Sequence, residues 1–106
     1  MEISNGKVFK KTVFLAEFLG TLGYTLAINM SDGSRTSSIS LLLMMVLTFK
    51  ISGGHLNPAV TLGVLIERRE LVRYKCFALV IVASQVLGAI TALCVGYMLR
   101  VTLTDA

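Results

Sequence analysis

The chain has 106 residues, of which 55% are hydrophobic and only 15% charged, with a mean hydropathy of +0.78 and a formal net charge of +4. A soluble domain carries about a quarter of its residues as charged side chains, so this composition excludes one and indicates a single small membrane domain. The positive balance is not a nucleic-acid signature, because no basic stripe with interleaved aromatic residues accompanies it. Basic residues beside apolar runs set orientation in a bilayer instead.

Residues 1–11 are a polar lead with Lys7, Lys10 and Lys11. Thr12–Met30 follows as an apolar run of nineteen residues, about 28 Å of helix at 1.5 Å per residue, enough to cross the hydrocarbon. A cleavable secretory signal has a shorter apolar region and ends at a small-residue cleavage site; this run predicts a retained first span. Ser31–Ser38, SDGSRTSS, has the composition of a polar turn. The second span is expected over residues 39–50, where Ile39–Phe49 is strongly apolar but covers only about half the core thickness.

Residues 51–63 read ISGGHLNPAVTLG. Asn57 is a strong helix N-cap residue, and Pro58 suits the first helical position, where no N–H is needed. Gly53 and Gly54 favour an irregular, closely packed backbone before the cap. The apolar stretch from Ala59 to Ile66 is too short to cross a bilayer, so residues 51–66 predict a re-entrant loop opening a short helix. Irregular backbone at membrane depth is tolerated only where it is buried in protein or lines a wet cavity. Glu67–Lys75, ERRELVRYK, is a charged interfacial strip. A third span is expected over residues 76–99, and residues 101–106, VTLTDA, form a tail. The expected fold class is therefore an all-α membrane protein with three transmembrane helices and one re-entrant half-helix.

With the N-terminus placed in the cytoplasm, Lys7, Lys10, Lys11, Lys50, Arg68, Arg69, Arg73 and Lys75 fall on that side, against Arg35 and Arg100 on the other. This asymmetry predicts an N-in, multi-pass topology and opposes random dual orientation. Lys50 reaches the interface only by extending its side chain along the apolar surface.

Asn57 is the leading site candidate. Its side chain caps the short helix and keeps amide donors for a lumen. The helix N-terminus adds about half a positive charge there, which orients a passing water through its oxygen and repels cations. Gly53, Gly54 and His55 offer backbone carbonyls as acceptors in a non-helical stretch, with a tight structural turn as the competing reading. His55 by itself reads as a hydrogen-bonding brace, since no other residue stands at metal-ligand spacing. Glu17, in AEFLGT, is ionisable at membrane depth and so marks a functional or bracing position. Bracing of the loop is the expected role, because neither full span holds a second carboxylate or His to continue a proton relay. Gln85, in ASQVLGA, should find a partner between helices. Gly20, Gly23, Gly88, Ala89 and Ala92 offer small surfaces for close helix approach. Met44 and Met45 read as filler. Cys76 and Cys94 lie too far apart on one helix to bridge and read as small buried packing residues. No paired carboxylates, Ser–His–Asp set, phosphate loop or Cys/His cluster appears, so neither an enzyme nor a metal or other cofactor is expected.

The strings AEFLGT (16–21), ISGGHLNPAVTLG (51–63) and SQVLGA (84–89) resemble, in order and placement, the first half of the aquaporin and glycerol-facilitator family, the major intrinsic proteins. The resemblance covers roughly residues 8–100. It implies a passive channel for water and small neutral solutes such as glycerol, embedded in the lipid bilayer and assembled as a tetramer. Asn57, Pro58 and Ala59 would form a selectivity motif, Gly53, Gly54 and His55 would present pore carbonyls, and Glu17 and Gln85 would brace the loop. The family pattern has two inverted repeats and two such motifs; this chain shows one. The expectation is a half-channel that needs a complementary half. The alternative is a non-conducting subunit that associates with full-length channels and modulates them.

Overall fold

Long apolar runs with few breakers fold as helices in a membrane, because a helix satisfies its own backbone polar groups. The computed structural model describes residues 8–31, 34–70 and 72–104. Lys7 and the rest of the lead before Val8, Asp32 and Gly33, Leu71, and Asp105 and Ala106 of the tail lie outside the described residues. The regular structure of the described residues is entirely helical: α1 (Val8–Asn29), α2 (Ser34–Ser52), α3 (Pro58–Glu67) and α4 (Lys75–Thr104). Three of these, α1, α2 and α4, are long and apolar enough to cross a membrane, and α3 is a shorter apolar helix. The chain is an integral membrane protein of all-α class.

Two helices are longer than the apolar runs suggest. α2 begins at Ser34, inside the polar stretch expected to be a loop, and continues to Ser52. Ser and Thr suit the first turn of a helix as well as they suit turns, and here the Ser40 hydroxyl folds back to the Ser37 carbonyl at 2.9 Å. α4 passes through Leu99 to Thr104, so residues 101–104 continue the helix instead of forming a separate tail. Thr91 and Thr102 donate to the carbonyls of Leu87 and Met98, one turn back, and polar residues of this kind do not interrupt the helix.

α1 is the central helix. It packs on α2 and on α4, and α3 packs on α4, whereas α2 and α4 do not meet among the described residues. The α1–α2 pair is antiparallel: a Cβ on Gly20 would lie 3.0 Å from the Thr48 methyl, and one on Gly23 would lie 2.9 Å from the Met44 methyl. The α1–α4 pair is parallel. Val13 packs with Phe77 and Ile81, Gly88 meets Phe18, and Gly96 meets Asn29. Close approach is most severe at Gly88, where a Cβ would stand 2.5 Å from the Phe18 carbonyl oxygen.

The buried set is small, and the outer surface is apolar. Leu42, Val46 and Phe49 on α2 are each about two-thirds exposed, as expected for side chains facing lipid. Cys76 and Cys94 are free and exposed on α4, not buried packing residues. In a bilayer the apolar surroundings that suit a thiol lie outside the protein as well as inside it.

Gly88→Ala therefore places a methyl group against backbone, and α1 and α4 must separate, at an expected cost of about 1–3 kcal/mol. Gly63, on α3, has nothing within 4 Å of an added Cβ, and Gly63→Ala should stabilise by about 0.5–1 kcal/mol. Thermal unfolding in detergent should show opposite shifts in midpoint for the two variants.

Candidate functional site

The site forms where α1, the end of α2, the 53–57 loop, α3 and α4 converge on the Glu17 carboxylate, which is fully buried. Its Oε1 accepts from the Ser52 hydroxyl at 2.7 Å and from the His55 backbone N–H at 3.1 Å. Its Oε2 accepts from the Leu56 backbone N–H at 2.8 Å and from Gln85 Nε2 at 2.9 Å. All four neighbours are donors, so both oxygens act only as acceptors. Two of the donors are backbone amides of a segment that has no helix or strand to satisfy them.

The loop is shaped by left-handed backbone at three positions, Gly53 (φ 91°), Gly54 (φ 63°) and Leu56 (φ 56°). Gly53 and Gly54 accept this conformation without steric penalty. At Gly54 the space is also closed, since a Cβ would approach the Met45 carbonyl oxygen at 2.9 Å. Leu56 has no such freedom, and a non-glycine residue in this region costs roughly 1–2 kcal/mol. It is held there from both ends: its N–H is bonded to Glu17, and its buried side chain fills the space above Gly20, where a Cβ would lie 2.5 Å from Leu56 Cδ2.

A second layer runs from Gln85 to α3. Gln85 Nε2 also donates to Thr61 Oγ1 at 3.0 Å, and His55 Nδ1 lies 3.0 Å from the same hydroxyl. Thr61 in turn reaches the Asn57 carbonyl through its backbone N–H at 3.1 Å and its hydroxyl at 3.3 Å. The hydroxyl has one proton; when it serves Asn57, His55 must carry its proton on Nδ1 and donate. His55 is thus part of the brace, and among the described residues no group of three or more His, Cys, Asp or Glu side chains could hold a metal.

Asn57 caps α3 from extended backbone (φ −157°, ψ 127°), its Oδ1 accepting from the Ala59 N–H at 2.9 Å, with Pro58 at the first helical position. Asn57 is exposed, and among the described residues its Nδ2 has no partner. It lines a groove of about 390 Å³ between α1 and α4, together with Pro58, Thr21, Tyr24, Gln85 and Ala89. Thr21 Oγ1 and Gln85 Oε1, on two of these lining residues, are buried without a partner. The groove therefore joins an exposed amide donor and a helix N-terminus to two polar atoms left unpaired among the described residues.

The structure brings Glu17, Gln85, His55 and the Gly53–Gly54 turn into one network and places Asn57, Pro58 and Ala59 at its edge. Sequence reasoning missed Ser52 and Thr61, both fully buried members of the network. The available signal is spacing: Thr61 and Leu65 are four residues apart and are the buried face of an otherwise exposed short helix. It also missed the contact between Arg100 and the Asn29 carbonyl, which joins the ends of α4 and α1.

Replacing Glu17 by Gln puts an amide N–H₂ where two donors converge. Loss of one hydrogen bond to a carboxylate costs about 1.5–3 kcal/mol. Hydrogen exchange of Glu17→Gln should show the amides of His55 and Leu56 losing protection by roughly tenfold or more, while the middle of α4 keeps its own.

The model of the family described as "Major intrinsic protein" matches residues 3–105. Among curated proteins the chain is similar to a protein named Aquaporin PIP2-4 from Oryza sativa subsp. japonica, at 49% identity over 49 residues, covering 45% of this chain and 16% of that relative. The matched stretch is therefore a small part of the relative's length. No solved structure matches.

Proposed function

The chain belongs to the major intrinsic protein family, and from that membership we propose that it forms one half of a passive pore for water and small neutral solutes such as glycerol. The observation that carries the proposal is the Asn57 cap: a helix N-terminus with an unpartnered amide donor, exposed in a groove at the end of a braced non-helical loop. A water oxygen in that groove meets donors only from the cap side, which turns its hydrogens away and breaks the chain of donors that a proton needs. The positive end of α3 opposes cations at the same point. Gly53, Gly54 and His55 supply acceptor carbonyls on the approach. Glu17 and Gln85 keep their backbone in place. The charge asymmetry supports a cytoplasmic N-terminus.

Completion of the pore requires a complementary half with the inverse topology, on the same polypeptide or a separate one. Thr21 Oγ1 and Gln85 Oε1, buried and unpaired on residues that line the groove, support a second polar surface closing on it. Two copies of this chain could meet that need only in opposite orientations, which the distribution of basic residues opposes. Assembly into a tetramer would follow completion of each pore.

Proteoliposome shrinkage measured by stopped-flow light scattering tests the proposal. The chain alone should give the lipid background, and the chain reconstituted with the second repeat of a full-length family member should give rapid flux. Asn57→Asp preserves the helix cap, because Asp caps as well as Asn, but replaces the amide donor with an acceptor; flux should fall toward background while assembly persists. Rapid Asn57-dependent flux from the chain alone would remove the need for a complement. Co-purification with a full-length channel with no change in flux per pore would favour a non-conducting subunit.

A further inference from the structure

The lipid-facing surface is not uniformly apolar. Between α1 and α4 an outward-open furrow of about 420 Å³ is walled by Phe14, Leu15 and Val80 and carries the Lys11 ammonium as its one charged residue. A second, of about 330 Å³, lies between α3 and α4, walled by Leu62, Ala78 and Leu79, and carries Lys75 in the same way. Both lysines are exposed, and among the described residues neither forms an ion pair. Two of the three stretches long and apolar enough to span begin at these residues, Lys11 and Lys75, and the third begins at Arg35. Because α1 and α4 run parallel with Val13 against Phe77 and Ile81, the two ammonium groups stand at one level, the interface where lipid phosphates lie.

Two further features favour an anion there. Lys11 and Lys75 occupy the first turns of their helices, and neither turn contains an acidic residue. The positive helix end disfavours a cation in that position unless an anion is shared with it. Nearby, Arg73 is held with its guanidinium 5.3 Å from the centroid of the Tyr74 ring, and Tyr74 is anchored against Val13, Phe77 and Ile81. Arg73 is thus a positioned cation two residues before Lys75 in sequence, adding positive charge at this level. Lys50 offers a contrast. It too stands at the rim of an apolar recess, but in the last turn of α2, two residues before Ser52, which is bonded to Glu17 deep in α1. Lys50 therefore lies below the level of the other two.

We propose that the two furrows are binding sites for anionic phospholipid of the leaflet on the N-terminal side. An acyl chain lies along the apolar walls, and the phosphate pairs with Lys11 in one site and with Lys75 in the other. The chemistry demands both parts. A zwitterionic lipid supplies the chain but brings its own cation to compete for the phosphate, and a free phosphate supplies the anion but not the chain. A juxtamembrane Lys or Arg contributes about fivefold in affinity for an anionic surface, so each site should discriminate measurably without binding irreversibly.

Native mass spectrometry of the full chain released from neutral detergent tests this with phosphatidylglycerol and phosphatidylcholine of the same acyl composition. Up to two phosphatidylglycerol molecules should be retained in preference to phosphatidylcholine. Lys11→Gln and Lys75→Gln should each lower retention about fivefold at one site, and the double variant should abolish the preference. Lys11→Arg and Lys75→Arg keep the cation and should retain it. Arg35→Gln removes an exposed cation that lines neither furrow and should change nothing. Deacylated glycerophosphoglycerol in excess should compete weakly; full competition would make the sites simple anion sites. Equal retention of the two lipids, or a preference that survives the double lysine-to-glutamine variant, would overturn the proposal.

Discussion

The structure depends on one carboxylate accepting four hydrogen bonds at membrane depth. Five residues between α2 and α3 have no regular structure, and the hydrocarbon around the protein provides no water to satisfy them. Non-helical backbone survives at that depth only where protein supplies its partners. Glu17 supplies two of them directly, at the His55 and Leu56 amides. It also joins the end of α2 through Ser52 and the middle of α4 through Gln85. A carboxylate is suited to this task because it offers only lone pairs, about four sites in all. Neutral side chains of similar size bring donors of their own into a space already occupied by donors.

The hub works only because the helices around it are close. Gly20 gives Leu56 the room to bury its side chain, and that burial helps hold Leu56 in its left-handed conformation. Gly88 lets α4 approach α1 until Gln85, one turn earlier, reaches the carboxylate. The small residues and the polar residues are therefore one device. Without the glycines the hydrogen bonds could not reach, and without the hydrogen bonds the close packing would enclose unsatisfied backbone, a cost of about 1–3 kcal/mol for each buried group.

How much of this is legible in the sequence follows from which effects are local. The cap at Asn57 and the short helix beyond it are local chemistry, and the structure shows them where the Asn-Pro pair predicts. Glu17 stands out because an ionisable side chain in an apolar run must have a reason. Ser52 and Thr61 do not stand out, because hydroxyls in membrane helices ordinarily return to their own backbone, as Thr48 does to Met44. Their role depends on meeting Glu17 and Gln85 from 35 and 24 residues away in sequence. The start of α2 was obscured for another reason: Ser and Thr signal a turn and a first helical turn equally well. The exposed cysteines show the rule that fails most often in membranes, where an apolar residue is no evidence of an interior.

Three solvents meet this small chain, and its polar atoms are distributed accordingly. Inside, the Glu17 network leaves its loop amides paired. At the outer ends of α1 and α4, charges and aromatic rings stand where headgroups begin. The groove beside Asn57 follows neither pattern. There a helix dipole, an exposed amide and two unpaired buried oxygens gather beside apolar walls, an arrangement unfavourable against lipid and without purpose in a closed interior. Such a surface is stable when wet or when covered by a polar partner, and the proposed pore would supply both. The cap is tied within this chain by the Ala59 N–H to Asn57 Oδ1 and by the Thr61 N–H and hydroxyl to the Asn57 carbonyl. In the proposed pore a partner would add the opposing wall, and with it the confinement that an oriented donor needs in order to select.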